Sequence, residues 1–313
     1  MIPSTDDIIN AHERIKPYIH KTAILSSRII DKIAECNLFF KCENFQKVGA
    51  FKARGATNAV FTLSESDAAK GVATHSSGNH AAALAYASGL RGIHNYIVMP
   101  ENSSAVKIEA VKHYGGNITF CKPTLQARED TLNEILEKSG AIEIHPYNNH
   151  QIIAGQATAC KELLEEMNDL DVIVAPVGGG GLLSGTALSA AYFGKNIRVF
   201  AAEPTGADDA FKSFNSKTFT PQTNPKTIAD GLLTSLGSIT FPIILEYVQD
   251  ILTANDTEII SVMKLIWERM KIIVEPSSAV ALAIILKNKE LFVGKKVGII
   301  LSGGNVDLTK LPW

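Results

Sequence analysis

Short apolar runs rich in β-branched residues alternate along this chain with longer segments of helical pattern. The apolar runs are LFFKCE, GVATHS, NYIVMP, NITFCK, DVIVAPV, IRVFAAEP and KKVGIILS. Helical patterns cover residues 80–90, 103–114, 124–139 and 151–167, and the third begins after Pro123 and stops at Gly140. This alternation predicts an α/β fold of open, twisted, mostly parallel sheets flanked by helices.

The chain of 313 residues is longer than a usual single domain, so we expect two. Residues 71–147 form a compact αβ pattern, which predicts a small substrate-binding domain. Residues 1–68 and 150–313 then form one large domain that binds the cofactor. Several strands run directly into Gly, Ser or Pro, and α/β folds place ligands at the carboxyl ends of their strands. We therefore expect a cofactor in the cleft between the domains.

The C-terminal half contains two patterns with clear breaks. Residues 211–226 are polar and rich in helix breakers, which predicts a surface excursion. An amphipathic pattern over 256–273 is stopped by Glu275 and Pro276, and a second helix is predicted over 277–286.

Composition and charge exclude several classes of partner. The net charge is −2, and the sequence has no block of Lys and Arg, which argues against nucleic acid and against an anionic membrane surface. No apolar stretch approaches the roughly 18 residues that span a bilayer. The first residues, MIPSTDDIIN, lack a basic segment followed by an apolar one, so we expect a cytoplasmic protein that acts on small molecules. The scattered cysteines, without CxxC spacing, indicate buried free thiols: Cys36, Cys42, Cys121 and Cys160.

A run of glycines follows the strand-like DVIVAPV and precedes a helical pattern. The run is Gly178, Gly179, Gly180 and Gly181. Consecutive backbone N–H groups at a helix N-terminus can converge on phosphate oxygens. A plain tight turn needs only one or two glycines, so four of them favour a phosphate site. The run does not match the dinucleotide pattern GxGxxG.

Three further motifs carry candidate chemistry. Lys52 in GAFKARG could bind an aldehyde cofactor covalently, although most lysines are solvated surface residues. The run SSGNH at 76–80 lies before a helical pattern and suits a carboxylate, although such a run alone is usually a capped turn. Ser302 in LSGGNVD could face a pyridine nitrogen, where a neutral hydroxyl would moderate electron withdrawal by the ring.

Taken together and in order, these motifs resemble those of fold-type II pyridoxal phosphate enzymes, the tryptophan synthase β-like group. Supporting runs are FFKCENFQKVGAFKARGATNAV, HPYNNHQIIAGQAT, AAEPTGADDA, TIADG and WERMKIIVEP, so the resemblance covers nearly the whole length. Within the group, AAEPTGADD favours the serine racemases. The resemblance implies a homodimer, pyridoxal 5′-phosphate as cofactor, and an amino acid as substrate.

The resemblance also implies roles for residues at matching positions. Lys52 would hold the cofactor, Phe51 would pack near its ring, and Asn79 would bond the ring hydroxyl. Ser302 would meet the pyridine nitrogen, and the four glycines would cradle the phosphate. The substrate carboxylate would be held by Ser76, Ser77, Gly78, Asn79 and His80. Racemisation requires proton exchange on both faces of the substrate carbon, for which Lys52 and Ser77 are the implied pair.

Two further sites are implied by the resemblance. Glu203, Ala207 and Asp209 match a Mg²⁺ or Ca²⁺ site made of two carboxylates and a backbone carbonyl, although their spacing alone indicates a solvated acidic turn. ATP binds between subunits of related enzymes as an activator. The matching residues here are Lys47, Tyr114, Lys271 and Asn305. Arg28 replaces a small hydroxyl residue near that site, which argues against nucleotide activation.

The sequence leaves the activity open between alternatives. The leading prediction is a serine racemase that also dehydrates serine to pyruvate and ammonia. A threonine/serine or 3-hydroxyaspartate dehydratase with little racemase activity is the nearest alternative, since Tyr147 with Asn148 and Asn149 is similar to the dehydratase loop. A non-catalytic amino-acid or nucleotide sensor is the alternative from another class.

Overall fold

The computed structural model describes residues 2–313 and contains the predicted alternation of strands and helices. The strands are β1 (Ile24–Leu25), β2 (Asn37–Cys42), β3 (Val72–His75), β4 (Asn95–Pro100), β5 (Ile118–Cys121), β6 (Ile142–Glu143), β7 (Val172–Pro176), β8 (Arg198–Pro204), β9 (Asp250–Ala254) and β10 (Lys296–Leu301). The helices are α1 (Thr5–Ile15), α2 (Arg28–Ala34), α3 (Lys52–Phe61), α4 (Glu65–Ala68), α5 (Asn79–Arg91), α6 (Ala105–His113), α7 (Leu125–Ser139), α8 (His150–Glu166), α9 (Gly181–Phe193), α10 (Asp209–Ser216), α11 (Thr240–Tyr247), α12 (Asp256–Met270) and α13 (Pro276–Lys287).

The strands form two separate sheets. One has the order β1-β2-β10-β7-β8-β9 and the other β5-β4-β3-β6. Every pairing between named strands is parallel except that of β1 with β2. The predicted fold class is therefore confirmed.

The smaller sheet lies within one stretch of the chain, between residues 72 and 143, whereas the strands of the larger sheet precede and follow it. The predicted boundaries, 71–147 against 1–68 with 150–313, separate these two sets of strands. The assignment of these ranges as domains stays a prediction, and the separation of the sheets supports it.

The larger sheet is covered on both faces, which explains why its strands are nearly continuous apolar runs. Alternate residues of β7 point to opposite faces. Val172 and Val174 pack with α12 and α13, whereas Ile173 and Ala175 pack with α8 and α9. Because β7 is buried throughout, the glycines that follow it start from a fixed position.

Helix ends follow the predicted signals at some places and depart from them at others. The Thr124 hydroxyl accepts from Ala127 N–H and Gly140 adopts a left-handed conformation, as expected for the limits of α7. The helix predicted over 256–273 ends earlier, at Met270, because Lys271 is left-handed with φ of 61°. The predicted surface excursion at 211–226 is helical up to Ser216 as part of α10.

Three strands were missed by the sequence pattern. β1 and β6 have two residues each, too few to show a period, and β9 is only partly buried. Within residues 2–313, no helix combines the length and the apolar character required to cross a membrane.

Candidate active site

Lys52 is the first residue of α3, and its side chain is half-buried. Its Nζ donates a hydrogen bond to the Pro146 carbonyl oxygen at 2.7 Å and lies 5.1 Å from the centre of the Phe51 ring. Desolvation lowers the pKa of the amine to about 8, against the opposing influence of the Glu275 carboxylate. The amine therefore loses its proton more readily than an ordinary lysine, as a nucleophile toward an aldehyde must.

Close backbone contacts fix the start of α3. The Phe51 N–H donates to the Ser302 carbonyl oxygen at 3.0 Å, which ties Lys52 to the loop after β10. One turn along, Gly55 packs against α8: a side chain there would place Cβ 2.8 Å from the Ile152 carbonyl oxygen. These contacts leave α3 little freedom to slide along α8.

A buried ion network lies two residues beyond the lysine. We define the Arg54 network as Arg54, Glu43, Glu162 and Lys41, whose side chains are at most 2% exposed. The guanidinium binds both carboxylates through two hydrogen bonds each, between 2.7 and 2.8 Å. Lys41 Nζ bonds Glu162 at 2.6 Å. This network joins α3 to β2 and α8, and the sequence analysis did not identify it.

The glycine run lies between β7 and α9, as predicted. No N–H of the four glycines donates to a protein acceptor within residues 2–313. A side chain at Gly179 would place Cβ 2.3 Å from the Tyr147 ring, and one at Gly178 would place it 2.9 Å from Leu232 Cα. Gly180 has φ of 87°, which disfavours any residue with a side chain. This cradle of free amides without side chains fits a phosphate.

The Ser76–His80 loop connects β3 to α5, so Ser77 and Gly78 immediately precede a helix N-terminus. Asn79 donates to both oxygens of Glu275, at 3.0 and 3.1 Å, and accepts from Asn305 Nδ2 at 2.9 Å. Because Glu275 also acts on the pKa of Lys52, the loop and the lysine share one site.

The His80 side chain is buried and contacts the protein backbone, so the predicted part of His80 in carboxylate binding would come from its own backbone. Its Nε2 lies 2.9 Å from the Ile144 carbonyl oxygen, and because a carbonyl only accepts, Nε2 carries the proton. The ring is 2% exposed, and burial lowers its pKa to about 3. His80 is therefore a neutral packing residue whose contribution to the loop is its backbone.

Glu275 is a functional candidate that sequence reasoning missed. It precedes Pro276 at the start of α13, is 4% exposed, and donates through its N–H to the Gly303 carbonyl oxygen at 3.0 Å. Burial, followed by the charge of Asp230, raises the pKa of its carboxyl to about 7. In the sequence it stood out only as part of the run WERMKIIVEP and as the residue before Pro276.

Ser302 is 3% exposed and stands at the carboxyl end of β10. Its Oγ lies 3.0 Å from Ser278 Oγ, which accepts from the Gly303 N–H at 2.7 Å. No charged side chain bonds the Ser302 hydroxyl in residues 2–313. A pyridine nitrogen placed here would meet a neutral hydroxyl as its partner. Ser278, which contacts that hydroxyl, was not predicted from the sequence.

The loop that begins at His145 joins the lysine to the glycine run. His145 Nδ1 accepts the N–H groups of Tyr147 and Asn148, at 3.3 and 2.9 Å. Its proton therefore resides on Nε2, and burial lowers its pKa to about 4. The Tyr147 ring stands edge-on to His145, with centroids 4.6 Å apart, and covers Gly179. The site around Lys52 thus contains neutral imidazoles.

The predicted cation ligands form a buried acidic pair. Glu203 is the next-to-last residue of β8 and is 0% exposed. Asp209 begins α10, and Ala207 ends the 3-10 turn between the two carboxylates. Burial raises the carboxyl pKa of Glu203 to about 9 and of Asp209 to about 6. Asp209 Oδ2 is buried without a hydrogen-bond partner among the described residues. Lys212 bonds Asp208 and not this pair.

Residues 2–313 contain no group of three or more His, Cys, Asp and Glu side chains that could hold a metal. The predicted set has two carboxylates and one carbonyl, so it does not depend on such a group. Both Glu203 oxygens accept backbone N–H groups, from Ala210 at 2.9 Å and from Phe211 at 2.8 Å, whereas Asp209 Oδ2 has no partner among the described residues. A bound cation would stabilise the ionised form of both buried carboxyls. The pair therefore fits a hard divalent cation with oxygen ligands.

The four residues predicted for a nucleotide are only partly brought together. Lys271 and Asn305 line one cavity of about 390 Å³ with Asn44 and Phe45. Tyr114 follows α6, where its ring packs against Tyr86 with centroids 5.9 Å apart. Lys47 lies in the 3-10 turn before Lys52 and does not line the cavity.

Known proteins are similar to this chain over most of its length. The family model described as pyridoxal-phosphate dependent enzyme matches residues 15–303. A β-hydroxyaspartate dehydratase of Paracoccus denitrificans is 52% identical over 100% of this chain and 99% of its own length. A serine racemase of Dictyostelium discoideum is 53% identical over 97% of this chain and 95% of its own. The structure of maize serine racemase, 46% identical, has a TM-score of 0.97 and covers 99% of this chain and 95% of its own.

The amine, the phosphate cradle and the buried serine all fit a pyridoxal phosphate, and the family match spans most of the chain. The alternative of a non-catalytic sensor loses its support. The chain belongs to the family of pyridoxal-phosphate dependent enzymes.

Proposed function

We propose that this enzyme interconverts L- and D-serine and also converts serine to pyruvate and ammonia. The observation that carries the proposal is Lys52, whose amine has a pKa lowered to about 8 and lies in one site with the SSGNH loop. Similarity to serine racemases of Dictyostelium and of plants, at 48–53% identity, supports this substrate.

The cofactor would be held by three regions of the chain. Lys52 would bind its aldehyde, the amides of the glycine run its phosphate, and Ser302 its pyridine nitrogen. When bound, pyridoxal phosphate withdraws electrons from the substrate α-carbon and acidifies its proton. The SSGNH loop would orient the substrate by its carboxylate, through the N–H groups at the start of α5.

The two-base assignment places Lys52 and Ser77 on opposite faces of the substrate carbon. Lys52 Nζ would remove the proton from one face, and Ser77 Oγ would deliver a proton to the other, with the reverse assignment for the other enantiomer. In the competing elimination the β-hydroxyl leaves with a proton as water. One water is taken up again when the nitrogen is released, so serine yields pyruvate and ammonia.

Purified protein should be offered L-serine, and its products identified by chiral chromatography and a pyruvate assay. We expect D-serine and pyruvate from the wild type, and neither from Lys52→Ala, in which borohydride should no longer fix the cofactor covalently to the chain. Ser77→Ala should lose racemisation and keep elimination from one enantiomer, because only the second proton donor is removed. Equal loss of both activities would refute the two-base assignment.

A 3-hydroxyaspartate dehydratase is the second candidate, favoured by the 52% identity with the Paracoccus enzyme over the whole chain. The same elimination applied to 3-hydroxyaspartate gives oxaloacetate and ammonia. Parallel assays with L-serine, L-threonine, L-aspartate and 3-hydroxyaspartate separate the candidates. Oxaloacetate without any D-serine would replace the leading proposal by this one.

We also propose a Mg²⁺ or Ca²⁺ ion at Glu203, Asp209 and the Ala207 carbonyl, supported by the buried acidic pair. ATP as an activator is supported only by Lys271 and Asn305, which share a cavity. Exposed apolar side chains near that cavity, such as Phe45 and Ile273, are compatible with the homodimer that the family resemblance implies. The dimer and the cytoplasmic location stay predictions.

A further inference from the structure

A run of four glycines has no side chains to fix its peptide planes. Glycine populates positive and negative φ with similar ease, so the planes of such a run can rotate. A phosphate cradle requires that several N–H groups point to one place. The orientation of the run must therefore be imposed by neighbouring residues.

Thr240, the first residue of α11, contacts the run directly and is fully buried. Its Oγ1 donates to the Gly179 carbonyl oxygen at 2.8 Å and accepts the Gly237 N–H at 2.8 Å. The hydroxyl has a single proton, and the other acceptor in reach, the Gly237 carbonyl oxygen, is farther away at 3.3 Å. The proton is therefore directed to Gly179.

This hydrogen bond determines where the next amide points. The peptide bond from Gly179 to Gly180 is trans, so its C=O and N–H point in opposite directions. With the Gly179 carbonyl held toward Thr240, the Gly180 N–H is turned away from α11. No side chain at Gly180 could orient this amide from within the run. Gly180 has a positive φ, and a Cβ there would lie 2.8 Å from Thr240 Cβ.

The turn that carries Thr240 is itself attached to the lysine side of the site. Asn148 accepts the Ile239 N–H at 2.8 Å and donates to Ser238 Oγ at 3.1 Å. Asn148 belongs to the loop whose Pro146 carbonyl accepts from Lys52. The position of Thr240 is thus fixed relative to the amine as well as to the glycines.

We infer that Thr240 is a positioning residue for cofactor binding, whose hydroxyl orients the Gly180 amide toward the phosphate. This inference rests on the proposed role of the glycine run as the phosphate cradle. It assigns to Thr240 a contribution that depends on the phosphate and not on the aldehyde or the ring.

The test compares pyridoxal phosphate with pyridoxal, which has the same ring and aldehyde but no phosphate. The full-length protein is freed of cofactor, and the dissociation constant of each compound is measured from the absorbance of its adduct with Lys52. Thr240→Val removes the hydroxyl at nearly constant shape, and Thr240→Ser retains it. Ser189→Ala is the matched control, because Ser189 is a buried hydroxyl of α9 that bonds the Ala157 carbonyl oxygen, away from the run.

We expect Thr240→Val to lower the preference for pyridoxal phosphate over pyridoxal by roughly five- to tenfold, the effect of one hydrogen bond that orients a charge partner. Thr240→Ser and Ser189→Ala should keep the wild-type preference. The ³¹P resonance of the bound cofactor should shift in Thr240→Val alone. Should Thr240→Val fail to fold, Thr240→Ala, which also lacks the hydroxyl, takes its place.

The possible failures are distinguishable. If the wild type binds pyridoxal as tightly as pyridoxal phosphate, the phosphate cradle itself is wrong, and with it the proposed site. If the wild type prefers pyridoxal phosphate and the variants without the hydroxyl retain that preference in full, the cradle stands and the inference about Thr240 is overturned.

Discussion

The Arg54 network and the Glu203–Asp209 pair are both buried clusters of charged groups, but only the first is complete. Arg54 and Lys41 compensate Glu43 and Glu162 at distances of 2.6 to 2.8 Å. The pair has no such cation, its pKa values are raised, and Asp209 Oδ2 has no hydrogen-bond partner within the described part of the chain. The network is satisfied by the protein's own cations, whereas the buried Asp209 oxygen without a partner favours a bound cation at the pair.

Removal of the central cation should have the largest effect. Arg54→Met leaves Glu43 without a cation and Glu162 with Lys41 only, so the variant should lose about 3–5 kcal/mol of unfolding free energy. Urea unfolding measures this. Lys138→Met is the control, since Lys138 and its partner Glu134 are 77% and 68% exposed and the change should cost under about 1 kcal/mol. Equal losses in the two variants would show that the network is no more than an ordinary ion pair.

Addition of a cation should have the next largest effect, and only at the acidic pair. At pH 8.5, Ca²⁺ or Mg²⁺ at a hundredfold excess over its dissociation constant should stabilise the chelator-treated protein by about 2.7 kcal/mol. Glu203→Gln should abolish this gain, because it removes a charged ligand. Calorimetry with and without the cation measures it, and an unchanged melting temperature in the wild type would remove the proposed site.

The pH dependence of stability should differ between the two clusters. Glu203, with a pKa raised from 4.5 to about 9, keeps its proton in the folded chain at pH values where the unfolded chain has released it. Its contribution to stability is therefore present below about pH 4.5 and is lost as pH rises toward about 9. In chelator-treated protein the loss should approach about 1.4 kcal/mol per pH unit relative to Glu203→Gln. A saturating cation should abolish that difference in slope, and a slope of opposite sign would contradict the assignment.

The sequence predicted those parts of the candidate site whose residues are neighbours in the chain. Lys52, the glycine run, SSGNH and Ser302 each lie in a short motif, and all of these motifs except that of Lys52 directly follow a strand. The residues that support them come from distant segments: Glu162 is 108 residues from Arg54, and Glu275 is 196 residues from Asn79. The periodicity of a single helix or strand cannot predict contacts between residues so far apart in the chain.

The same limit applies to the fold. The alternation of long elements predicted the parallel sheets, because each strand carries its own apolar signal. The short β1 and β6 depend on neighbouring strands for their existence and gave no signal. The helix predicted to reach residue 273 ended early because Lys271 is left-handed, and Trp267 Nε1 donates to the Val274 carbonyl oxygen across the break, a contact between residues that the helical pattern does not contain.

An exposed ion pair gives the smallest expected effect and completes the comparison. Lys107 on α6 bonds Asp230 at 2.5 Å, and their side chains are 32% and 47% exposed. The ion pair joins the region of the smaller sheet to the region of the larger sheet across one cavity. Because both groups remain hydrated, Lys107→Met should change the unfolding free energy by less than about 1 kcal/mol, and 1 M salt should erase most of the change. Urea unfolding at low and high salt measures this. A loss as large as that of Arg54→Met would show that burial is not what separates these clusters, and the inference from an unsatisfied pair to a bound cation would lose its basis.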